Sequence, residues 1–288
     1  MKKLMIAASA ALCATVGFSD VEGQNVVGYT SATLVPGLNM ISDAFLKVGT
    51  DGKPLINELI KDQANVCNAA PDFLDGEADE ILLYTDSIGY QNKNAFFFYA
   101  YPEEPDPYYD YKWCCEADNE EVGEESYEPT FRSVPVGKGF FYWNRGQENI
   151  NISLSGQVST QDAQWTIVPG LNLLSNPYPT DIKINGSFDW KALGAQDAAD
   201  FLDGEADEIL LYTDGIGYQN KNAFFFYAYP DEPDPYYDYK WCCDADNEEE
   251  GEESYEPTAR SIPTGKGFFY WRRGATNMTI DLTSPIAE

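Results

Sequence analysis

The sequence predicts an all-β chain: two tandem antiparallel β-sandwich or small-barrel domains after a cleaved signal peptide. Three observations carry this expectation. Apolar residues fall in short aromatic and β-branched runs bounded by Gly, Pro, Asn and Asp. No stretch of any length sustains a helical period of 3.6. Residues 72–146 recur without a gap as residues 200–274, at a constant offset of 128.

The two copies differ at eight positions only: Ser87/Gly215, Glu103/Asp231, Glu116/Asp244, Val122/Glu250, Phe131/Ala259, Val134/Ile262, Val136/Thr264 and Asn144/Arg272. Upstream, VPGLNMIS from Val35 matches VPGLNLLS from Val168 at an offset of 133. A repeat of this size is a whole domain and not a solenoid turn of about 20 to 50 residues. Each copy is therefore expected to own a core, and 43% hydrophobic and 15% aromatic residues supply the material.

The strand candidates are ILLYTD, NAFFFYAY, GKGFFYW and NISLSG, with NMTIDLT closing the second copy. DSIGYQNKN and DGIGYQNKN read as turns that join two strands into a hairpin. Pro54 to Asp62 is the one segment read as a short helix. The polar junction SGQVSTQDAQ reads as a limited hinge.

Met1-Lys2-Lys3, an uncharged run from Leu4 to Gly17 and small residues up to Ser19 have the layout of an export signal. The expected division is signal peptide 1–19, first β module 20–158 and second β module 159–288. The uncharged run is shorter than the roughly 20 residues that cross a bilayer, so no membrane insertion is expected. Leu12 before Cys13 argues against a lipid anchor. The expected destination is the periplasm, the cell surface or the medium.

The 48 acidic residues outnumber 18 basic ones, for a formal charge of -30. Nucleic acid is excluded as a partner, because phosphate affinity rests on clustered Lys and Arg. Histidine is absent, which removes Ser-His-Asp, Cys-His and His-metal chemistry.

The segments NVVGYTSATLVPGLNMIS, LNLLSNPYPTDI, ADEILLYTD and IPTGKGFFYWRRG together resemble a set of uncharacterised secreted bacterial tandem β-modules. In that set a "PGWNLISNPYPS"-like opening strand pairs with a "PGKGFWV"-like closing strand. The resemblance implies architecture and export, and carries no catalytic residues. Leu38 and Leu171 stand where Trp is usual, and the acidic insert after Trp113 and Trp241 is a departure.

Four groups could carry chemistry. DFLDGEADE offers Asp72, Asp75, Glu77 and Asp79, repeated as Asp200, Asp203, Glu205 and Asp207, as oxygen ligands for calcium, although the spacing is not that of an EF-hand and a solvated turn reads as well. Calcium is the one cofactor this pattern admits. The acid run from Glu116 to Glu128, and from Asp244 to Glu256, reads as a solvated loop or a second cation site.

Tyr108, Tyr109, Tyr111 and Trp113, with Tyr236, Tyr237, Tyr239 and Trp241, form the third group. Strand alternation in YYDYKW would place Tyr109, Tyr111 and Trp113 on one face. Such a face either packs in a core or stacks sugar rings beside carboxylates. The fourth group is Cys114, Cys115, Cys242 and Cys243, the disulfide candidates, with Cys67 left over.

These features predict an exported, non-catalytic protein that binds bivalently at or beyond the cell surface, with polysaccharide or other surface proteins as partners. The alternative is a structural envelope or matrix component that assembles through its modules. A carboxylate-based glycoside hydrolase ranks third, since a chosen acid pair is uninformative where acids abound.

Overall fold

The computed structural model describes residues 27–46, 54–60, 62–71, 76–115, 128–199, 204–243 and 256–285, the side chains of Asn92 and Asn220 excepted. The expected signal peptide lies outside the described residues.

The chain is all-β. The first copy contains β1 (Val27–Leu34), β2 (Gly37–Ile41), β3 (Phe45–Leu46), β4 (Glu80–Thr85), β5 (Gly89–Tyr99), β6 (Lys112–Cys115), β7 (Glu128–Pro129), β8 (Phe140–Asn144) and β9 (Ile150–Val158). The second contains β10 (Ala163–Ile167), β11 (Gly170–Ser175), β12 (Ile182–Lys183), β13 (Glu208–Thr213), β14 (Gly217–Tyr227), β15 (Lys240–Cys243), β16 (Glu256–Pro257), β17 (Ser261–Ile262), β18 (Gly267–Arg272) and β19 (Met278–Leu282).

Each copy is built on an antiparallel six-stranded sheet, in the orders β2-β8-β4-β5-β6-β7 and β11-β18-β13-β14-β15-β16. A smaller sheet, β1-β9-β3 or β10-β19, lies over it. Between the layers of the first copy sit Ile81, Phe96, Phe98, Trp113, Phe140 and Tyr142 from the large sheet, facing Leu34, Phe45, Ile152 and Leu154. The second copy repeats this with Phe224, Phe226, Trp241, Phe268 and Tyr270. The layering is sandwich-like, and among the described residues neither large sheet closes on itself.

Local chemistry explains the elements. Asn39 closes the VPGLN loop by accepting from the Val35 amide at 2.9 Å and donating to the carbonyls of Val35 and Gly37 at 2.8 and 2.9 Å. Asn172 does the same from Val168. Gly37 and Gly170 hold φ of 96° and 97° there, which an L side chain rarely adopts. The expected hairpins form, with β4 turning into β5 at Asp86–Ile88 and β13 into β14 at the equivalent turn. The expected helix does not: Ile56–Glu58 is a single 3-10 turn that buries Ile56, and a one-turn helix lies beyond it at Gln63–Val66.

The junction is not a hinge, because the two copies lock together around an approximate two-fold axis. Ser42 N donates to Gly265 O at 3.0 Å and Ser175 N to Gly137 O at 2.9 Å. Ser87 N donates to Leu171 O and Gly215 N to Leu38 O, both at 2.8 Å. Asp86 accepts from Leu173 N and Asp214 from Met40 N, both at 3.0 Å. Each hairpin tip thus docks on the opening strand of the other copy.

Met40, Phe141, Leu173 and Phe269 fill the contact, flanked by Leu38, Leu82, Tyr84, Leu171, Leu210 and Tyr212. A Cβ on Gly139 would lie 3.0 Å from the Gly267 Cα, and one on Gly267 would lie 3.2 Å from the Gly139 Cα. The second glycine of each Gly-Lys-Gly motif is therefore where the two backbones meet.

Cutting an inserted protease site between residues 159 and 162 should leave both halves co-eluting on size exclusion. Phe141→Ala should cost about 3–5 kcal/mol in denaturant unfolding. Cut protein carrying Phe141→Asp and Phe269→Asp should separate into two peaks.

Candidate functional site

The tyrosine group takes its shape from a turn. Asp110 accepts from the amides of Tyr101 and Asp106, both at 2.9 Å, and Asp106 accepts from Tyr108 N at 2.8 Å. These carboxylates tie PEEPDPYYD into a compact loop. Tyr111 ends it with a φ of 58°, and its amide donates to Tyr99 O at 2.7 Å. The strand begins only at Lys112. The expected alternation of Tyr109, Tyr111 and Trp113 therefore fails, because the aspartates compete for the amides that a strand would use.

The corrected arrangement is a ladder of rings. Phe97 meets Tyr99 at 6.2 Å, Tyr99 meets Tyr109 at 6.3 Å, and Tyr109 meets Tyr108 edge-on at 4.9 Å. Phe97 is buried and Tyr108 is 53% exposed. Tyr109 donates its hydroxyl to Glu128 at 3.2 Å. The second copy repeats the ladder through Phe225, Tyr227, Tyr237 and Tyr236, with Tyr236 60% exposed and Tyr237 donating to Glu256 at 3.1 Å.

Desolvation, then the Glu128 carboxylate, raises the Tyr109 pKa above the ordinary phenol range. Glu256 does the same for Tyr237. These phenols stay protonated and act as donors. Tyr111 is 45% exposed and Tyr239 is half-buried under the Lys191 ammonium, which sits 3.5 Å from its ring centre.

Trp113 and Trp241 do not belong to this surface. Both are wholly buried, packed against Phe98 and Tyr142 or Phe226 and Tyr270. Tyr99 and Tyr227 were not singled out from the sequence. Their period-two relation to Phe97 and Phe225 puts them on the outer sheet face, a signal hidden within the unbroken FFFYAY run.

Of the carboxylates read as calcium ligands, Asp72, Asp75, Asp200 and Asp203 lie outside the described residues. Glu77 and Glu205 are exposed. Asp79 and Asp207 are fully buried and structural. Asp79 accepts from the Tyr142 hydroxyl, the Asn68 amide and side chain, and the Arg145 amide. Asp207 accepts from Tyr270 at 2.8 Å, the Arg273 amide at 2.7 Å and the Arg272 guanidinium at 2.6 Å. These carboxylates are occupied by protein donors. Among the described residues no group of three or more His, Cys, Asp or Glu could hold a metal. The acid runs lie outside the described residues, except Glu128 and Glu256.

The disulfide candidates are thiols, as is Cys67. Neighbours on a strand point to opposite faces, so Cys115 and Cys243 enter the two main cores while Cys114 and Cys242 enter small clusters beneath Phe97 and Phe225. Burial pushes the thiols of Cys67, Cys114 and Cys242 up to about 12 from 9.0.

No protein-family model, no curated protein and no solved structure matches this chain.

A thiol held protonated in the fold beyond its unfolded value contributes stability that is whole below the unfolded pKa and lost as pH rises through the folded one. The melting temperature should therefore fall between about pH 9 and 12. The four buried thiols, Cys114, Cys115, Cys242 and Cys243, should resist a disulfide reagent at about pH 8 until denaturant is added. Rapid labelling of any of these four in the native protein would contradict their buried placement.

Proposed function

We propose that this chain is an exported, non-catalytic protein that binds a repeating polymer, a glycan before others, through two equivalent tyrosine platforms held at fixed spacing. The exposed Tyr108 and Tyr236 rings, each standing on a tyrosine whose hydroxyl is engaged by a glutamate, are the observation that carries this reading. Such a ring offers a flat apolar face to a sugar, while neighbouring carboxylates and phenols bond hydroxyls. The platforms lie toward the β6–β7 and β15–β16 edges of the large sheets, away from the strands that join the copies. Duplicate faces on one rigid body increase avidity when the target repeats. The export layout and the resemblance to secreted tandem β-modules agree with an extracellular target.

The test is affinity electrophoresis or calorimetry against a panel of neutral and acidic polysaccharides. Tyr108→Ala or Tyr236→Ala alone should weaken polymer binding by about 10²-fold or more through lost bivalency. Either variant should leave the affinity for a short oligomer at the remaining site unchanged. The double variant should lose both. Unchanged binding in the double variant would remove the platforms from the account.

One observation favours assembly as the second reading. Among the described residues β1 pairs on one side only, with β9, and it exposes Val27 at 72% and Tyr29 at 83%. An uncharged edge strand of eight residues is a template for another chain. Light scattering across a concentration series should then show oligomers that Tyr29→Lys reverses. A monomer throughout would discard assembly and leave the platforms.

A further inference from the structure

The described basic side chains of the first copy are Lys93, Lys112, Arg132, Lys138 and Arg145. Three of them, Lys93, Arg132 and Lys138, line one cleft of about 540 Å³ at the turn end of the β4–β5 hairpin. Asp86 is the only acid among the described residues of its lining, whose three cations make that lining positive in a chain of net charge -30. A concave wall of one sign focuses its field on whatever enters, even when the whole molecule carries the opposite sign.

The three cations differ in how they are held. Lys138 is paired with Asp86. Arg132 is fixed by hydrogen bonds to two neutral acceptors, the Lys93 carbonyl and Asn94 Oδ1 at 2.7 Å, and its guanidinium lies 5.1 Å from the Phe96 ring centre. Two of its five donors are used in this way, and a planar fork already locked in place loses little entropy on taking a ligand. Lys93 is exposed at the mouth. Ile88, 67% exposed, adds an apolar rim. The same basic residues recur as Lys221, Arg260 and Lys266, with Arg260 donating to Lys221 O and Asn222 Oδ1.

We propose that this cleft is an oxyanion site for a carboxylate or sulfate group carried on a small polar molecule such as an acidic sugar. Its volume falls in the range of small-molecule sites, about 300–1,000 Å³. Arg132 supplies fixed donors, Lys93 closes over the bound anion, and the Lys138–Asp86 pair sets the inner wall. The site shares no residue with the tyrosine platforms, so it stands or falls separately from them.

Amide-resolved NMR titration of the intact chain at constant ionic strength tests this, with sodium sulfate, sodium glucuronate and neutral glucose as three arms. Saturable shifts at Lys93, Arg132 and Lys138 are expected with at least one of the anions. A response to sulfate alone assigns a sulfate ester, and one to glucuronate alone assigns a carboxylated sugar. Lys93→Gln should weaken binding about tenfold through loss of a charge-assisted hydrogen bond, while Lys112→Gln leaves it unchanged. Shifts that do not saturate, that glucose reproduces, or that Lys93→Gln does not alter would overturn the assignment.

Discussion

Everything else in the structure depends on one reciprocal contact: a hairpin tip of each copy seated on the opening strand of the other. Asp86 and Asp214 make it specific, since each accepts a backbone N–H across the junction and is neutralised within its own copy by Lys138 or Lys266. The apolar fill of Met40, Phe141, Leu173 and Phe269 supplies area, which is non-directional and would tolerate sliding. The amide bonds remove that freedom by fixing the register. The symmetry is imperfect at one of the eight differing positions. Ser87 reaches the Pro169 carbonyl with its hydroxyl, whereas a Cβ at Gly215 would meet Val35 Cγ2 at 2.8 Å. Glycine at 215 thus reflects a closer approach on that side.

A locked pair of copies changes what duplication can achieve. Two sites on a flexible tether raise local concentration over a broad range of target spacings, while two sites on one rigid body favour targets whose repeat matches the fixed separation. The tyrosine ladders are tied down by the hydrogen bonds of their own loops. Each runs from a buried phenylalanine outward, and a glutamate accepts from the phenol on which the exposed outer ring packs.

The strands, the hairpins and the duplication were legible because they rest on local pattern: period-two runs, turn residues and identity at constant offset. The junction was not. FFYW in β8 and β18 is unbroken rather than alternating because Phe140 and Tyr142 face the core while Phe141 faces the other copy. An unbroken apolar strand means that both faces are covered, but sequence does not name the cover. YYDYKW departs from its pattern for a different reason. Its aromatic content favours a strand, yet Asp106 and Asp110 take the nearby amides and only Lys112 onward pairs. Asp79 and Asp207 looked like metal ligands while their donors, Tyr142 and Tyr270, lay 63 residues away in sequence. The cationic cleft was hidden similarly, since its residues are scattered and the charge count points the other way.

The acidity of the chain also explains why the copies join as they do. Halves that are both rich in carboxylates repel each other, and salt screens this only beyond a Debye length of about 8–10 Å. A contact built on exposed ion pairs would be weak and salt-dependent. Burying aromatic rings and satisfying backbone amides across the junction gives attraction that does not depend on the sign of the surface. Charge enters the contact only as Asp86 and Asp214, acids that arrive already neutralised and are oriented as acceptors for amides that would otherwise be left unpaired. A chain of this composition can therefore hold its halves rigid and still present a negative exterior, with its few cations free to be concentrated in a cleft.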